Sequence, residues 1–576
     1  MNADAVAGVR DLGLRRVLSQ HWEWSLARWP ELATRLGDHR YDHRLTDRSS
    51  SAAAADLQHY DLMIGLTEEI GVGDLVETDR ITLQLFAAAL KASRALTACR
   101  MDRWSVGVRD NPLVWINELA ESHPLQSSED GERLIQRYKA VPGVIHDHVS
   151  ALREGLNLGA VANAESVRRT LTMVDDALAK PPERWQVTQS AAEPHQGWTE
   201  EEAGRFAADA ASVTRQDLRP ALGTYANFLR AELLPRARPD DAAGLSYLPE
   251  GRACYAALIE HHTSLALDPE ELNAFGLSEL DRVHADMRML GKKLFGTDDL
   301  PAIFKHLRED RSLYFNSSAE VEAKAAEALA RAQAAVPSVF ERLPTAPCEV
   351  RAIPNYEAPL TTIAYYMPSV PGEAPGYYYV NSYAPETRPR YEAEVLAFHE
   401  SVPGHHLQIA FAQELGDLPA FRRHLGSTAF VEGWALYTER LADELGLYSG
   451  DLDRMGMLSF DAWRGSRLVV DTGIHAFGWT RTQAEAFMRA NTPLAENNIV
   501  NEVDRYISWP GQALAYKVGQ REILRLRSES KTLLGSRFNL KGFHDAVLSG
   551  GAVSLPVLDM QVRRWQALVG KKAAAR

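Results

Sequence analysis

The chain has only three cysteines, Cys99, Cys254 and Cys348, widely separated in its 576 residues. No Cys-x-x-Cys pair occurs, which excludes a thiolate zinc site. An odd, sparse count predicts reduced thiols and a cytoplasmic protein. No window approaches the ~18 consecutive apolar residues of a membrane span. Met1 to Trp24 holds no apolar run of signal-peptide length, so neither a membrane partner nor a leader is expected. Dense lysine and arginine runs are missing too. The formal net charge of −14 argues against a nucleic-acid partner, because phosphate binding needs a basic surface. Hydrophobic residues at 45% and charged residues at 24% exclude disorder as the overall state.

Strand signals are also scarce. The clearest is Gly376 to Asn381, three tyrosines and a valine bounded by prolines; Glu349 to Ile353 and Thr361 to Met367 are the others. They predict one small sheet ahead of residue 390. Elsewhere helical signals dominate. Asp79 precedes Ile81, Leu85, Ala88, Ala92 and Leu96 on one face. Thr199 with Glu202 forms a capping box, Asp268-Pro269 is a cap with proline at the first helical position, and Ser317 with Glu320 opens a helix running to about Val336. Proline-marked breaks at Lys180–Gln196 and Pro235–Pro249 divide the chain into an N-terminal helical region, 1–240, and a catalytic region, 241–576. The fold class expected is mainly α, with a small β-sheet beside the active-site cleft.

The chemistry concentrates in Leu396 to Gln408, which reads LAFHESVPGHHLQ. A zinc-binding helix of the His-Glu-x-x-His kind puts two histidines four apart on one face, with a glutamate as base. Here the position four after His399 is Pro403, so the plain motif is absent. Pro403 and Gly404 predict a kink or bulge in the helix, which would bring His405 to the place of the second ligand. In an unbroken helix His406 would share the face of His399, but ~10 Å along the axis at ~1.5 Å per residue, too far for one metal. His405 is therefore preferred as a ligand, with His406 beside the site. Glu432, 27 residues beyond His405, fits a second helix packing back to supply a carboxylate. His399, His405, Glu432 and one water make the pattern of a catalytic zinc, which manganese or cobalt could replace. Glu439, two turns beyond Glu432, can orient a ligand histidine. A structural role is the alternative for any one of these residues; burying the whole set without a metal would be costly.

Arg467, Asp471 and His475 recur every four residues. Arg467 or Arg505 could clamp a substrate carboxylate; the alternative is an Arg467–Asp471 ion pair. The strand Gly376 to Asn381, carrying Tyr379 and Asn381, could add an extended peptide as a neighbouring strand or serve as an ordinary sheet strand. His261-His262 reads as structural.

The His399–Gln408 string, Glu432 to Tyr437, Arg505-Tyr506, Pro510 to Gly519, Gly376 to Asn381 and Asp471 to Ala476 together resemble the bacterial family called domain of unknown function 885, over about residues 10 to 570. The resemblance implies kinship with gluzincin zinc metallopeptidases and a large helical zincin-like fold with a long groove. The Glu432–Glu439 spacing is similar to that of thimet-type oligopeptidases, and Tyr506 to Gly519 resembles a tyrosine-rich segment of thermostable carboxypeptidases. The two extra residues between the helix histidines depart from that pattern. By this resemblance zinc would activate water, Glu400 would carry the proton, and Tyr516 or His475 would donate to the oxyanion. The expected substrate is a short peptide or a small amide. A hydrolase of a non-peptide small molecule and a non-catalytic metal- or peptide-binding protein are the alternatives, and homo-oligomerisation is left open.

Overall fold

Capping chemistry starts the helices where the sequence offers it. Thr199 and Glu202 exchange hydrogen bonds ahead of Glu200–Val213, Asp268 caps Pro269–Phe295, and Ser317 caps Ser318–Ala335. The computed structural model describes residues 3–354, 358, 362–369 and 375–574. Among these the chain is mainly helical with one three-stranded sheet. No helix of the described residues is long and apolar enough to cross a membrane.

Asp79 is not a cap. Its helix already begins at Glu77, and the Asp79 carboxylate accepts the backbone amides of Arg10 and Asp11 at 3.0 and 2.7 Å. The buried line of this helix is Thr82, Leu83, Phe86 and Leu90, facing an N-terminal apolar core. Ile81, Leu85 and Leu96, the expected buried face, are half-buried against a second and larger core. A single-stripe reading fails because the helix is sandwiched between Ser50–Glu68 and Gly251–Thr263.

Just beyond this helix lies Cys99, and Gly251–Thr263 carries Cys254; the two form a disulfide with Cα atoms 5.3 Å apart. This corrects the expectation of reduced thiols. Cys348 is the free cysteine. A structural disulfide is characteristic of oxidising compartments, so cysteine usage no longer argues for the cytoplasm.

The proline-marked segments are folded rather than linking. Lys180–Gln196 holds the helix Gln186–Ala191 and buries Trp185, Val187 and Ala191 in a core built from residues 106–233. Pro235–Pro249 buries Ala243 and Leu245 in the largest core. Proline at the start of a helix is as natural as proline after its end, and composition does not separate the two.

The strands are β1, Cys348–Ala352; β2, Ala364–Met367; and β3, Gly376–Val380. Thr361, where the second strand was expected to begin, lies outside the described residues. The order is β1-β3-β2, with β3 parallel to β1 and antiparallel to β2. Both edges of β3 are therefore paired, and it cannot add a peptide as a further strand. β2 lies against the helix Ala393–Glu400.

Two helices define the main core's geometry: Thr428–Glu444, called here the Glu432 helix, and Ala515–Leu534, the Tyr516 helix. They touch backbone to backbone. A Cβ on Gly519 would stand 1.8 Å from the Ala429 carbonyl oxygen, and one on Gly433 2.4 Å from the Gly519 Cα. Glycine is required at both positions. Gly519→Ala should force the helices apart, lower stability by ~1–3 kcal/mol and shift Glu432 relative to Tyr516. Thermal unfolding together with a zinc titration checks this; an unchanged melting temperature would contradict it.

Candidate metal centre and active site

The helix Ala393–Glu400 is buried until its last residue, with Glu394 and His399 among otherwise apolar side chains. It stops there because Pro403 offers no amide and disfavours helical backbone at Val402. Residues 401–404 form a turn with a cis Val402–Pro403 peptide, and a new helix, His405–Gln413, follows. The expected kink or bulge is thus a full break between two helices. Gly404 allows it: a Cβ there would lie 1.9 Å from the His399 carbonyl oxygen and 2.4 Å from that of Phe398. The His406 amide donates to the Ser401 carbonyl at 3.1 Å, and the Trp434 indole, on the Glu432 helix, donates to the Pro403 carbonyl at 3.0 Å.

This turn brings His405 back over His399, with ring centroids 4.7 Å apart. Glu432 Oε2 lies 3.6 Å from His399 Nε2 and 3.4 Å from His405 Nε2. The ligand atoms of the three residues lie within 4.8 Å of one another. Bonds of ~2.0–2.2 Å in tetrahedral geometry put ligand atoms roughly 3.3–3.6 Å apart. Glu432 Oε2 is buried and makes no hydrogen bond of acceptable geometry. The donor set and its spacing therefore fit one zinc-like ion. Glu439 Oε1 lies 2.7 Å from His399 Nδ1, which leaves Nε2 as the nitrogen facing Glu432. Arg464 Nη2 stands 3.8 Å from the same Glu439 oxygen.

The electrostatics follow from burial and crowding. Burial alone would lower the pKa of His399, but Glu432 and Glu439 outweigh it and raise it to about 10. Burial would raise the Glu432 pKa, and the two imidazoles outweigh it, holding that carboxyl well below its usual range.

Glu400, the last residue of its helix, is half-buried. Its charge acts on Tyr378, whose pKa is raised chiefly by burial and whose hydroxyl is buried without a hydrogen-bond partner. The Tyr516 ring is near-parallel to that of His399, with centroids 6.5 Å apart. The Tyr516 hydroxyl accepts from Arg505 Nη2 at 3.2 Å and Gln512 Nε2 at 3.5 Å, leaving its own proton to donate.

Other expected residues lie elsewhere or are already engaged. His475 has both ring nitrogens occupied, by the Leu245 amide at 3.2 Å and the Tyr506 carbonyl at 2.9 Å, so it is not available as an oxyanion donor. Burial lowers its pKa to about 3. His406 turns to the sheet, with Nδ1 3.0 Å from the Tyr366 hydroxyl and Nε2 3.1 Å from the Ala346 carbonyl, and it does not touch the ligands. Asn381 donates to the Ala358 and Thr362 carbonyls and accepts the Tyr383 amide, a turn-building role. Tyr379 stacks on Tyr365, centroids 5.0 Å apart, on the opposite face of β3 from Tyr378. Arg467 pairs with Glu502 at 2.9 Å and not with Asp471. Asp471 instead accepts from the Tyr255 hydroxyl at 2.6 Å and the Gly511 amide at 3.2 Å.

Tyr378, Arg464, Glu502 and Gln512 were missed in sequence. Tyr379 was chosen over Tyr378 because strand alternation does not say which face turns inward, and it is the Tyr378 face that is buried. Glu502, three residues before Arg505, could have been found as a helical neighbour of that arginine.

Solved structures share this fold. A candidate lipoprotein from Colwellia psychrerythraea is 26% identical, with a TM-score of 0.89 over 96% of this chain and 99% of that one. A candidate lipoprotein of unknown function from Shewanella oneidensis is 19% identical, with a TM-score of 0.71 over 95% and 98% of the two chains, and shows the fold alone. No curated protein matches the sequence.

Two outcomes are expected. Glu439→Gln should weaken zinc binding by ~10–100-fold with the fold retained, checked by competition with a chelating dye; unaltered affinity would contradict the orienting role. Burial raises the Asp471 pKa to about 7. Its folded form holds a proton more tightly than the unfolded chain, so its contribution is full below the unfolded pKa and is lost as pH rises toward 7. Asp471→Asn should therefore gain melting temperature relative to the wild type between pH 4 and pH 7; a pH-independent difference would contradict this.

The family model for bacterial proteins of unknown function, DUF885, matches residues 30–562, and the chain belongs to that family.

Proposed function

We propose that this protein is a zinc-dependent hydrolase of amide bonds in short peptides, with a gluzincin-like site in a zincin-like fold. The observation that carries the reading is the triangle of His399 Nε2, His405 Nε2 and Glu432 Oε2, with Glu439 fixing the first imidazole. His399, His405 and Glu432 would hold the ion. When bound, zinc supplies Lewis acidity, polarising a carbonyl and making water a stronger acid.

The remaining steps belong to the chain's own groups. Glu400, adjacent in sequence to His399 and half-buried, would take a proton from the attacking water and return it to the leaving amine. Tyr516 supports the oxyanion, since Arg505 and Gln512 both donate to its oxygen and its proton is free to point at substrate. Hydrolysis breaks the C–N bond; hydroxyl goes to the acyl carbon and the proton to nitrogen.

The test is hydrolysis of a mixed library of two- to six-residue peptides by zinc-loaded protein, followed by mass spectrometry. Glu400→Gln should retain its metal and lose ~10²–10⁴-fold in kcat. No peptide cleaved by the wild type, or full activity in Glu400→Gln, would overturn the reading.

A further inference from the structure

Beside Tyr516 the protein gathers more positive charge than it balances. Arg467, on the helix Asp451–His475, is 2% exposed. Its Nη2 donates to Glu502 Oε2 at 2.9 Å and its Nε to the Tyr506 hydroxyl at 3.2 Å, while its buried Nη1 has no partner. Arg505, on the helix Glu496–Ser508, places Nη1 3.5 Å from the other Glu502 oxygen and Nη2 2.7 Å from Gln512 Oε1; its Nε is buried without a partner. Two guanidinium groups thus share one carboxylate, and each keeps an unused donor. An unpaired buried donor is costly, and a ligand group that accepts from it recovers that cost.

A third arginine joins them from a distant part of the chain. Gly107 packs against Ser508, at the end of the Glu502 helix; a Cβ on it would lie 3.1 Å from the Ser508 Cβ. This carries Arg109 to the rim of the cluster. Arg109 is exposed, and partial burial, then Arg505 and Arg467, lower its pKa. The neighbouring Asp110 is turned away, accepting from the Trp115 indole at 2.5 Å. Among these groups Glu502 is the single counter-charge to Arg109, Arg467 and Arg505.

Tyr516 connects the cluster to the metal centre. The Arg467 guanidinium carbon lies 4.4 Å from the Tyr516 ring centroid, which lies 6.5 Å from that of His399. Together these distances span about three extended residues at ~3.3–3.6 Å each, part of which a guanidinium–carboxylate contact takes up.

We propose that Arg467, Arg505 and Arg109 form a carboxylate-binding subsite that selects substrates carrying a free carboxylate one or two residues from the bond to be cut. The carboxylate would take the unused donors of Arg467 and Arg505 and neutralise charge that Glu502 leaves over. The location of the cut bond rests on the hydrolase reading; the subsite itself does not.

The test uses zinc-loaded Glu400→Gln protein and calorimetric binding of three versions of one N-acetylated tripeptide: the free acid, the C-terminal amide, and the amide with aspartate as its last residue. The free acid should bind at least about tenfold more tightly than the plain amide, the equivalent of one charge-assisted hydrogen bond. Arg467→Gln and, separately, Arg109→Ala should each erode that preference; Arg109 is at the rim, so its variant keeps the test open should the buried substitution fail to fold. Tight binding of the aspartate amide as well would support the subsite and assign it to an acidic side chain. Equal affinity for all three peptides, or a preference that survives both substitutions, would overturn it. Selective binding of the free acid by Glu400→Gln, with none of the peptides hydrolysed by the zinc-loaded wild type, would support the subsite while failing the hydrolase reading.

Discussion

The structure depends on a carboxylate driven between two imidazoles in the interior of a helical protein. Glu432 is reached by His399 and His405 from one side, and His399 is braced by Glu439 from the other. Removing such groups from water is expensive, and mutual attraction repays it only when the geometry is close. Much of the surrounding architecture serves that geometry. Gly404 lets the chain fold over the end of the His399 helix, Trp434 ties the turn to the Glu432 helix, and Gly433 with Gly519 lets that helix touch the one carrying Tyr516.

A second layer of charge lies beyond the first. Arg464 approaches Glu439, Arg467 and Arg505 divide Glu502 between them, and Arg505 holds the Tyr516 hydroxyl. Tyr516 stands between the His399–His405–Glu432 triad and the basic cluster. Charge across the site is therefore graded from the Glu432 and Glu439 carboxylates to the unpartnered guanidinium donors of Arg467 and Arg505.

The sequence made some of this legible and concealed the rest for identifiable reasons. His405 was preferred over His406 because axial rise put His406 too far away, and the structure sets the His405 ring against His399 while His406 hydrogen-bonds to Tyr366. A kink or bulge was readable from Pro403 and Gly404, but the full break between two helices was not, since it depends on Gly404 meeting the carbonyls of the preceding turn. The three strands follow from tyrosine and valine content; their order does not, and β3 proved to be central rather than an edge. His475 was expected to donate to the oxyanion by the family resemblance and Asn381 to serve a peptide-adding strand, yet both spend their hydrogen bonds on backbone groups. Cys99 and Cys254 are 155 residues apart, and only the packing of their two helices brings them together.

The most direct test of the central claim is zinc content per chain, measured by elemental analysis on the wild type beside Glu432→Ala and His405→Ala. The account predicts one zinc per wild-type chain and none tightly held in either variant. A wild-type chain that takes up no zinc after reconstitution, or variants that hold it as tightly as the wild type, would contradict it.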